Sequence, residues 1–473
     1  MEFLTYLSEF FNSGIILYAV SLILAYIILS VLSIRETIFY MRKNSFADYR
    51  NIMTSPLTPP VSLIAPAYNE GATIIENIRS LLSLYYADFE IIIVNDGSTD
   101  DTLKKIIEEY SLVKVDFAVN EKLKTKSIKN IYKSTNPVFN KLTVVDKENG
   151  GKSDALNAGI NVSKNDLIAC CDVDSILEQD SLLKLVKPFL ESSKVRTIAA
   201  GGVVRIANDC EIENGRIVKV NFPKKFFPRI QVLEYIRAFL LARMAWSRLN
   251  GVLIISGAFG MFEKDVVIKA GGYSDKTVGE DLELVVRMRK YMHDNGIKYR
   301  IVYIPDPLCW TESPTTIKIL SRQRNRWTRG LIGTLFLHIR TLFNPKYKIL
   351  GMVSFPYWLI YEWAAPIIEF FGILYFLFLA VFGFADWTFI LLVFLAVYSF
   401  ALLYSFTSIF IEEFSFHQYK SLKDIFKLSL VAFLEPLSFH FLTLIWAVKG
   451  NLDYLSGERK WGEMKREGFR DNR

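Results

Sequence analysis

The fold is decided by Leu167-Ile168-Ala169-Cys170-Cys171-Asp172-Val173-Asp174. An uncharged apolar run of this length predicts a buried strand of a parallel sheet, and here it ends in two carboxylates. In open α/β sheets, ligands bind just beyond the carboxyl ends of the strands. Because Asp172 and Asp174 repel each other unless a cation lies between them, and because hard oxygen ligands suit Mg²⁺ or Mn²⁺, the pair predicts a metal site. The alternative is a plain strand end, with Asp174-Ser175 capping the next helix.

Short apolar strands alternate with helices on both sides of this stretch. Helical patterns such as 72–84 and 102–110 separate the strand candidates, which are 61–65, 90–94, 142–145, 167–171 and 197–205. This alternation predicts a doubly wound, Rossmann-like α/β domain with a mostly parallel sheet.

Three loops that follow strands carry polar residues. The first is 66–70, and the second is 95–100, where Asp96 sits at the carboxyl end of a strand. In the third, Gly150-Gly151 lets the backbone approach a ligand closely, and Lys152 at a helix start suits a diphosphate. Turn-and-cap chemistry is the alternative for the second loop, and a solvated lysine is the alternative for Lys152.

The composition is too apolar for an ordinary soluble domain. Of the 473 residues 51% are hydrophobic, and 36 phenylalanines with 23 tyrosines fit a membrane protein with interfacial aromatics. The net charge of +7 is not gathered in one block that would suggest nucleic acid. The four cysteines show no metal-ligand spacing, so we expect them to be reduced in a cytosolic compartment.

The N-terminal region predicts a transmembrane helix at about 14–34. This stretch has no charge, and as a helix it would extend roughly 30 Å, enough to cross the hydrocarbon core. Acidic residues precede it and basic residues follow it, so the positive-inside rule places the next domain in the cytoplasm. We therefore predict a membrane and juxtamembrane segment at 1–50 and a cytosolic catalytic domain at 51–345.

Two amphipathic helices within the catalytic domain, 224–248 and 317–337, are predicted to lie at the membrane interface. Helices of a soluble core are the alternative for both. The C-terminal membrane region, 346–450, is predicted to span at 355–384 and 387–411. Ionisable residues there, such as Glu362 and Glu369, are expected to face protein or a channel.

The segment 428–448 is long enough to cross the membrane. A crossing would place the basic tail, 451–473, outside, against the positive-inside rule. We therefore predict an interfacial or re-entrant segment followed by a cytosolic tail.

The series of motifs resembles the core of family-2 glycosyltransferases. In chain order it reads Ala67-Tyr68-Asn69-Glu70, Val94-Asn95-Asp96-Gly97-Ser98, Gly151-Lys152-x-x-Ala155-Leu156-Asn157, Asp172-Val173-Asp174, Ser256-Gly257-Ala258-Phe259-Gly260, Val278-Gly279-Glu280-Asp281 and Gln323-Arg324-Asn325-Arg326-Trp327. The last motif, with flanking membrane spans, is similar to cellulose, hyaluronan, chitin-oligosaccharide and poly-N-acetylglucosamine synthases. The resemblance implies a GT-A fold for the cytosolic domain, joined to transmembrane and interfacial α-helices.

The resemblance also implies donor-side roles. Asp172 and Asp174 would hold the nucleotide sugar, Asp174 through Mg²⁺ or Mn²⁺, and Asp96 would hold the uridine. The remaining donor-side residues would be Ala67, Tyr68 and Glu70 beside the base and ribose, with Lys152 and Arg326 neutralising the diphosphate.

On the acceptor side, the resemblance implies that Asp281 is the general base, in a catalytic pair with Glu280. The residues implied to bind the acceptor are Gly257, Ala258, Phe259, Gln323 and Trp327, the last by stacking on a sugar. A helix N-terminus rich in acids is the alternative for the carboxylates, and an interfacial anchor is the alternative for Trp327. Trp461 and Lys465 loosely resemble the gating loop of hyaluronan synthases, and a plain basic juxtamembrane tail is the alternative.

One motif departs from the family pattern. Many cellulose synthases carry Thr-Glu-Asp at the base, and hyaluronan synthases carry Gly-Asp-Asp. This chain has Gly279-Glu280-Asp281, which matches neither, so the motif does not settle the sugar.

The resemblance implies an inverting, processive, UDP-sugar-dependent hexosyltransferase, a polysaccharide synthase of the inner or plasma membrane. It would transfer a hexose or N-acetylhexosamine, from UDP-GlcNAc or UDP-Glc, to a growing β-linked glycan and extrude the chain. Membrane lipids and accessory secretion subunits would be further partners, and nucleic acid would not. Non-processive transfer of one sugar to a membrane lipid is the alternative. A channel with an inactive transferase-like domain is disfavoured, because every expected catalytic residue is present.

Overall fold

The chain folds as an α/β domain joined to long apolar helices, and the computed structural model describes residues 2–45, 48–191 and 195–458. The strands are β1 (Val61–Ala67), β2 (Phe89–Asn95), β3 (Leu112–Val115), β4 (Ile128–Ser134), β5 (Leu142–Lys147), β6 (Leu167–Cys171), β7 (Ile176–Leu177), β8 (Arg196–Ile206), β9 (Glu211–Glu213), β10 (Arg216–Lys219), β11 (Phe259–Glu263) and β12 (Tyr299–Thr311). The α-helices are α1 (Glu2–Asn44), α2 (Tyr49–Thr54), α3 (Ile74–Leu82), α4 (Thr102–Glu109), α5 (Lys152–Val162), α6 (Ser181–Leu190), α7 (Phe226–Tyr235), α8 (Arg243–Arg248), α9 (Lys264–Lys269), α10 (Glu280–Asp294), α11 (Ile317–Leu337), α12 (Phe355–Tyr357), α13 (Ala365–Val381), α14 (Trp387–Ser415) and α15 (Leu422–Leu455). Short 3₁₀ turns occupy Pro137–Phe139, Ile339–Thr341 and Pro345–Tyr347, and π-helical segments occupy Ile236–Ala242, Leu350–Ser354 and Trp358–Trp363.

Ten of the twelve described strands form one sheet in the order β3-β4-β5-β2-β1-β6-β11-β8-β12-β7, and β9 and β10 form a separate antiparallel pair. Its centre, β5-β2-β1-β6, is parallel, as expected for strands joined by crossover connections. Strand β11 runs antiparallel between β6 and β8, and β8 pairs in parallel with β12. Because the carboxyl ends of the four central strands meet at one edge, the polar loops that follow them converge there.

All five predicted strands are present. The strand predicted at 167–171 has the same bounds in the structure, and the other four extend one or two residues further at an end. The central strands are buried on both faces, which explains their nearly continuous apolar sequence. Helix α5 packs closely on this sheet: a Cβ on Gly159 would lie 2.3 Å from a methyl group of Ile64.

The amphipathic helix predicted at 224–248 is a continuous helical rod from residue 226 to 248, with a π-helical middle. Its apolar face is covered by protein, since Ile230, Leu233 and Met244 are fully buried. Contacts within the protein therefore explain the apolar face. Its location at the membrane interface stays a prediction.

Among the described residues, four helical segments are long and apolar enough to cross a membrane, namely Glu9–Asn44, Leu350–Val381, Trp387–Ser415 and Leu422–Leu455. The chain is accordingly a membrane protein. In the second segment, wide π-helical turns flank Pro356 and precede Pro366. Proline lacks the N–H group of the helical ladder and its ring clashes with the preceding turn, which accounts for these wide turns.

Helix α15 contacts the α/β domain near both of its ends. Near its start, Lys427 Nζ lies 5.9 Å from the centroid of the Phe222 ring. Near its end, Asp453 accepts a hydrogen bond of 2.6 Å from Asn325. The helix is uninterrupted from Leu422 to Leu455, so the chain does not turn back within 428–448. Whether this helix crosses the membrane or lies at its interface is not decided by these contacts, and the interfacial form stays a prediction.

Candidate active site

The strand-end carboxylates border a cavity of about 2150 Å³, which begins at the carboxyl edge of the sheet and continues between the apolar helices. The side chain of Asp172 is 30% exposed, whereas Asp174 is buried. Both residues follow β6 directly. They therefore lie at the carboxyl end of the strand, as the sequence predicts, and at the wall of the cavity.

Lys152 is the first residue of α5. The residue before it, Gly151, has a φ of +86°, a backbone conformation that favours glycine. The Lys152 ammonium lies 2.5 Å from Asp172 Oδ1 and 3.1 Å from Glu280 Oε1. Burial alone would lower the pKa of Lys152, but the two carboxylates raise it above its ordinary value. The ammonium is thus fixed at a helix N-terminus, where the helix dipole favours an anion such as a diphosphate.

Glu280 and Asp281 are the first two residues of α10, and both border the cavity. Asp281 Oδ2 accepts a hydrogen bond of 3.1 Å from the Gly257 N–H. Burial raises the pKa of the Glu280 carboxyl, although Lys152 opposes this effect. A Cβ on Gly257 would lie 2.9 Å from the Lys152 ammonium, so a residue without a side chain keeps space between the lysine and Asp281.

Helix α11 brings the predicted acceptor residues Gln323 and Trp327, together with Arg326, to the cavity wall. Trp327 is 42% exposed, and the Arg324 guanidinium carbon lies 4.4 Å from the centroid of a Trp327 ring. Arg324 is itself paired with Glu234 of α7 at 2.7 Å. The stack and the ion pair restrict the orientation of the indole, while much of its surface stays accessible.

Asp96 is held by three donors. Its Oδ1 accepts hydrogen bonds from Lys147 Nζ at 2.7 Å and from the Gly150 N–H at 2.9 Å, and its Oδ2 accepts one from the Gly151 N–H at 2.8 Å. The residue is buried and borders the cavity. Asp96 therefore fixes the loop that precedes Lys152. Uridine binding stays a prediction, and it would use the remaining lone pair of Oδ2.

Lys147, the last residue of β5, is a site residue that sequence reasoning missed. Its side chain is fully buried, and its ammonium also lies 2.6 Å from Asp154 Oδ1. A lysine at the end of an apolar strand is a weak signal, because a buried ammonium requires carboxylate partners. Those partners become visible only through the pairing of β5 with β2, in which Asp146 lies opposite Asn95.

The other predicted residues divide into three groups. Those that border the cavity are Ala67, Tyr68, Glu70, Gly257 and Ala258. Phe259 requires a correction: it begins β11, is almost fully buried and packs in the hydrophobic core, so it does not face an acceptor. Trp461 and Lys465 lie outside the described residues.

The chemistry of Asp172 and Asp174 fits a divalent cation. Within residues 2–45, 48–191 and 195–458, no cluster of three or more His, Cys, Asp or Glu side chains could hold a metal ion. Mg²⁺ is commonly held by one or two carboxylates, with substrate phosphates and waters completing its octahedron. The pair is therefore suited to a cation that is shared with a diphosphate.

The far part of the cavity lies between the apolar helices and carries several ionisable residues among a mostly apolar lining. Glu362 and Glu369 border it, together with His440, whose Nε2 lies 2.7 Å from Glu369 Oε2. Arg237 and Glu435, which are paired at 3.1 Å, border it too. Ionisable residues at membrane depth are expected to face a cavity or each other, since facing lipid is costly. The cavity that begins at the strand-end residues therefore continues between the apolar helices, and ionisable side chains border it there.

Comparisons with known proteins agree with this architecture. Residues 59–330 match the family model described as "Glycosyltransferase like family 2". A poly-beta-1,6-N-acetyl-D-glucosamine synthase of Staphylococcus aureus (strain COL) is 28% identical over 297 residues, which cover 61% of this chain and 60% of that protein. The synthase of the same name from Staphylococcus epidermidis RP62A is 29% identical over 271 residues, covering 57% of this chain and 54% of that protein. The chain thus spans less than two thirds of the length of the curated relatives it matches.

Among solved structures, a mannosyltransferase from Pyrobaculum calidifontis in complex with GDP-Man and Mn²⁺ is similar over 92% of this chain and 99% of its own, with a TM-score of 0.51 and 16% identity. At this identity the likeness concerns the fold alone. The α/β domain has the GT-A fold.

Proposed function

Since the chain belongs to glycosyltransferase family 2, we propose that it transfers a hexose or N-acetylhexosamine from a UDP-sugar to a growing β-linked polysaccharide, with inversion at the anomeric carbon. The observation that carries this proposal is the continuity of the cavity. The strand-end carboxylates, Asp281, Trp327 and the polar residues between the apolar helices all border the same space. Donor, acceptor and product can therefore occupy successive parts of one path.

The transfer step needs a base and an anion site. Asp281 takes the proton of the acceptor hydroxyl as its oxygen attacks the anomeric carbon. The bond from that carbon to the UDP oxygen breaks, and its electron pair leaves with UDP. Lys152 and Arg326 stabilise the negative charge that UDP gains. When bound by Asp174 and Asp172, Mg²⁺ or Mn²⁺ supplies further electrostatic stabilisation of the diphosphate.

Processive synthesis also requires that the product stay bound to the enzyme while UDP leaves. Trp327 offers an accessible indole, which suits the apolar face of a pyranose and does not fix its chemical register. From Trp327 the cavity continues past Glu369 and His440. We infer that the polymer follows this route from a cytoplasmic catalytic domain to the opposite side of the membrane.

The first donor to test is UDP-GlcNAc. The relatives at 28% and 29% identity are poly-β-1,6-N-acetyl-D-glucosamine synthases by name. UDP-Glc is the second donor, because the base motif Gly279-Glu280-Asp281 does not settle the sugar.

The test uses the full chain in liposomes with Mn²⁺ and one UDP-sugar at a time. We expect high-molecular-weight polymer at early times, with few short intermediates, and polymer that a glycosidase digests from the side opposite the catalytic domain. Trp327→Ala should abolish elongation and leave mainly hydrolysis of the donor. Phe226→Ala is a matched control, because Phe226 is an exposed aromatic residue of α7 outside the cavity lining. Accumulation of a singly glycosylated lipid alone would instead identify a non-processive lipid transferase.

A further inference from the structure

The loop that leads into α10 crosses α11 with the two backbones in direct contact. A Cβ on Gly279 would lie 2.9 Å from Gly330 Cα, and a Cβ on Gly330 would lie 2.9 Å from Gly279 Cα. Both distances are below 3.0 Å, which Cβ atoms in proteins essentially never show. The nearest atoms are backbone atoms of the opposite glycine, so neither position can carry a side chain unless the loop and the helix move apart.

Thr277 joins the same loop to the same helix. Its hydroxyl donates a hydrogen bond of 3.3 Å to the Gly330 carbonyl and accepts one of 3.3 Å from the Gly279 N–H. A Cβ on Gly333 would lie 2.9 Å from the Thr277 hydroxyl oxygen. Two glycines one turn apart on α11 thus form a notch that receives the threonine. We call Thr277, Gly279, Gly330 and Gly333 the glycine joint.

The glycine joint connects the two elements that carry the base and the acceptor-binding tryptophan. Asp281 follows Gly279 by two residues, and Trp327 precedes Gly330 by three residues, about one helical turn. Asp281 and Trp327 border the cavity, as do Gly279 and Gly330. The distance between the loop and α11 at the joint therefore controls the distance between Asp281 and Trp327.

We propose that the glycine joint positions Asp281 relative to the acceptor sugar on Trp327, and that its four members are positioning residues for transfer. This inference rests on the proposed function and goes beyond it, because the two glycines that border the cavity have no side chain to bind a sugar, and Thr277 and Gly333 are not part of its lining. It also explains why glycine precedes Glu280-Asp281 in this chain: a threonine at position 279 would collide with the backbone of α11.

A displaced joint should affect transfer to a sugar and hydrolysis of the donor differently. Hydrolysis requires the donor site and a water molecule, whereas transfer also requires the acceptor at the correct distance from Asp281. A misplacement of about 1 Å in a reacting geometry can cost about 10²-fold in rate. A displaced joint should therefore lower sugar incorporation much more than it lowers UDP release.

The experiment compares Gly279→Ala and Gly330→Ala with the wild-type chain in liposomes containing UDP-GlcNAc and Mn²⁺. We expect UDP affinity to change less than about threefold, sugar incorporation to fall about 10²-fold, and the ratio of UDP released to sugar incorporated to rise. Gly14→Ala is the matched control, because a Cβ on Gly14 meets no atom within 4 Å. It should behave like the wild type.

Thr277 supplies a milder test in case the glycine variants do not fold. Thr277→Val removes the hydroxyl at nearly constant volume and should lower incorporation at least about tenfold, because it loses both hydrogen bonds of the joint. Thr277→Ser keeps the hydroxyl and should restore the rate. Parallel loss of UDP affinity, hydrolysis and incorporation would show that the joint only stabilises the fold and would overturn the inference. A wild-type chain without any transfer would instead refute the proposed function, and the inference with it.

Discussion

Replacing Lys147 by methionine tests whether the donor site depends on a buried ion-pair cluster. The substitution removes a fully buried ammonium that lies 2.7 Å from Asp96 Oδ1 and 2.6 Å from Asp154 Oδ1. Two carboxylates then remain without their shared cation. The volume of the side chain hardly changes, so the effect reports on charge and hydrogen bonding and not on a cavity.

The expected cost follows from the remaining partners. Removing one member of a buried ion pair typically destabilises a protein by about 3–5 kcal/mol. Asp96 keeps the N–H groups of Gly150 and Gly151, and Asp154 Oδ2 keeps the Lys126 N–H at 3.0 Å. We therefore expect the lower end of that range, about 3 kcal/mol. UDP affinity should fall at least about tenfold, since a loss of 1.4 kcal/mol in binding already gives that factor.

The assay combines thermal unfolding with UDP titration of the full chain in lipid nanodiscs. Lys346→Met is the matched control, because Lys346 forms a 2.5 Å ion pair with Asp294 in which both side chains are largely exposed, at 56% and 41%. Exposed pairs contribute little, so this variant should resemble the wild type. Adding Asp154→Asn to Lys147→Met should recover part of the stability, since one unpaired carboxylate is removed. If Lys147→Met matched Lys346→Met in both measurements, the reasoning about the buried cluster would be wrong.

Three further predictions concern the metal, the base and a buried carboxylate. Chelation by EDTA should stop UDP release, and Mn²⁺ should restore the wild type but not Asp174→Asn; full turnover in a metal-free preparation would contradict the metal site. Asp281→Asn should keep UDP affinity and slow transfer at least about 10²-fold, the usual scale for a lost base, and weakened UDP binding at an unchanged rate would assign Asp281 to the donor instead. Burial raises the pKa of Glu283, but hydrogen bonds from His338 and Arg287 outweigh it and bring the pKa below its ordinary value of 4.5. The stability lost in Glu283→Gln should therefore be largest above pH 4.5 and shrink as the pH falls through the lower folded pKa, and a difference independent of pH would refute this linkage.

Five strands, four of them at the centre of the sheet, and the polar residues at their ends follow from the local sequence. Each strand is a short apolar run, and burial on both faces requires only that its own residues be apolar. The rule that ligands bind at the carboxyl ends of strands then placed Asp96, Lys152 and Asp172 at one edge of the sheet. Length and lack of charge likewise sufficed for the first membrane helix. These properties depend only on residues that are adjacent in the chain, so the sequence alone can predict them.

Contacts between residues that are distant in the chain became visible only in the tertiary structure. Lys147 and Asp96 are 51 residues apart in the chain, and Gly279 and Gly330 are equally far apart, so no local pattern reports either contact. Phe259 lies in a matching motif, yet the pairing of β11 with β6 buries it. The contacts of α15 with Phe222 and Asn325 of the α/β domain likewise join residues far apart in the chain, and its composition does not report them. Contacts of this kind depend on how strands and helices pack, which apolar periodicity does not encode.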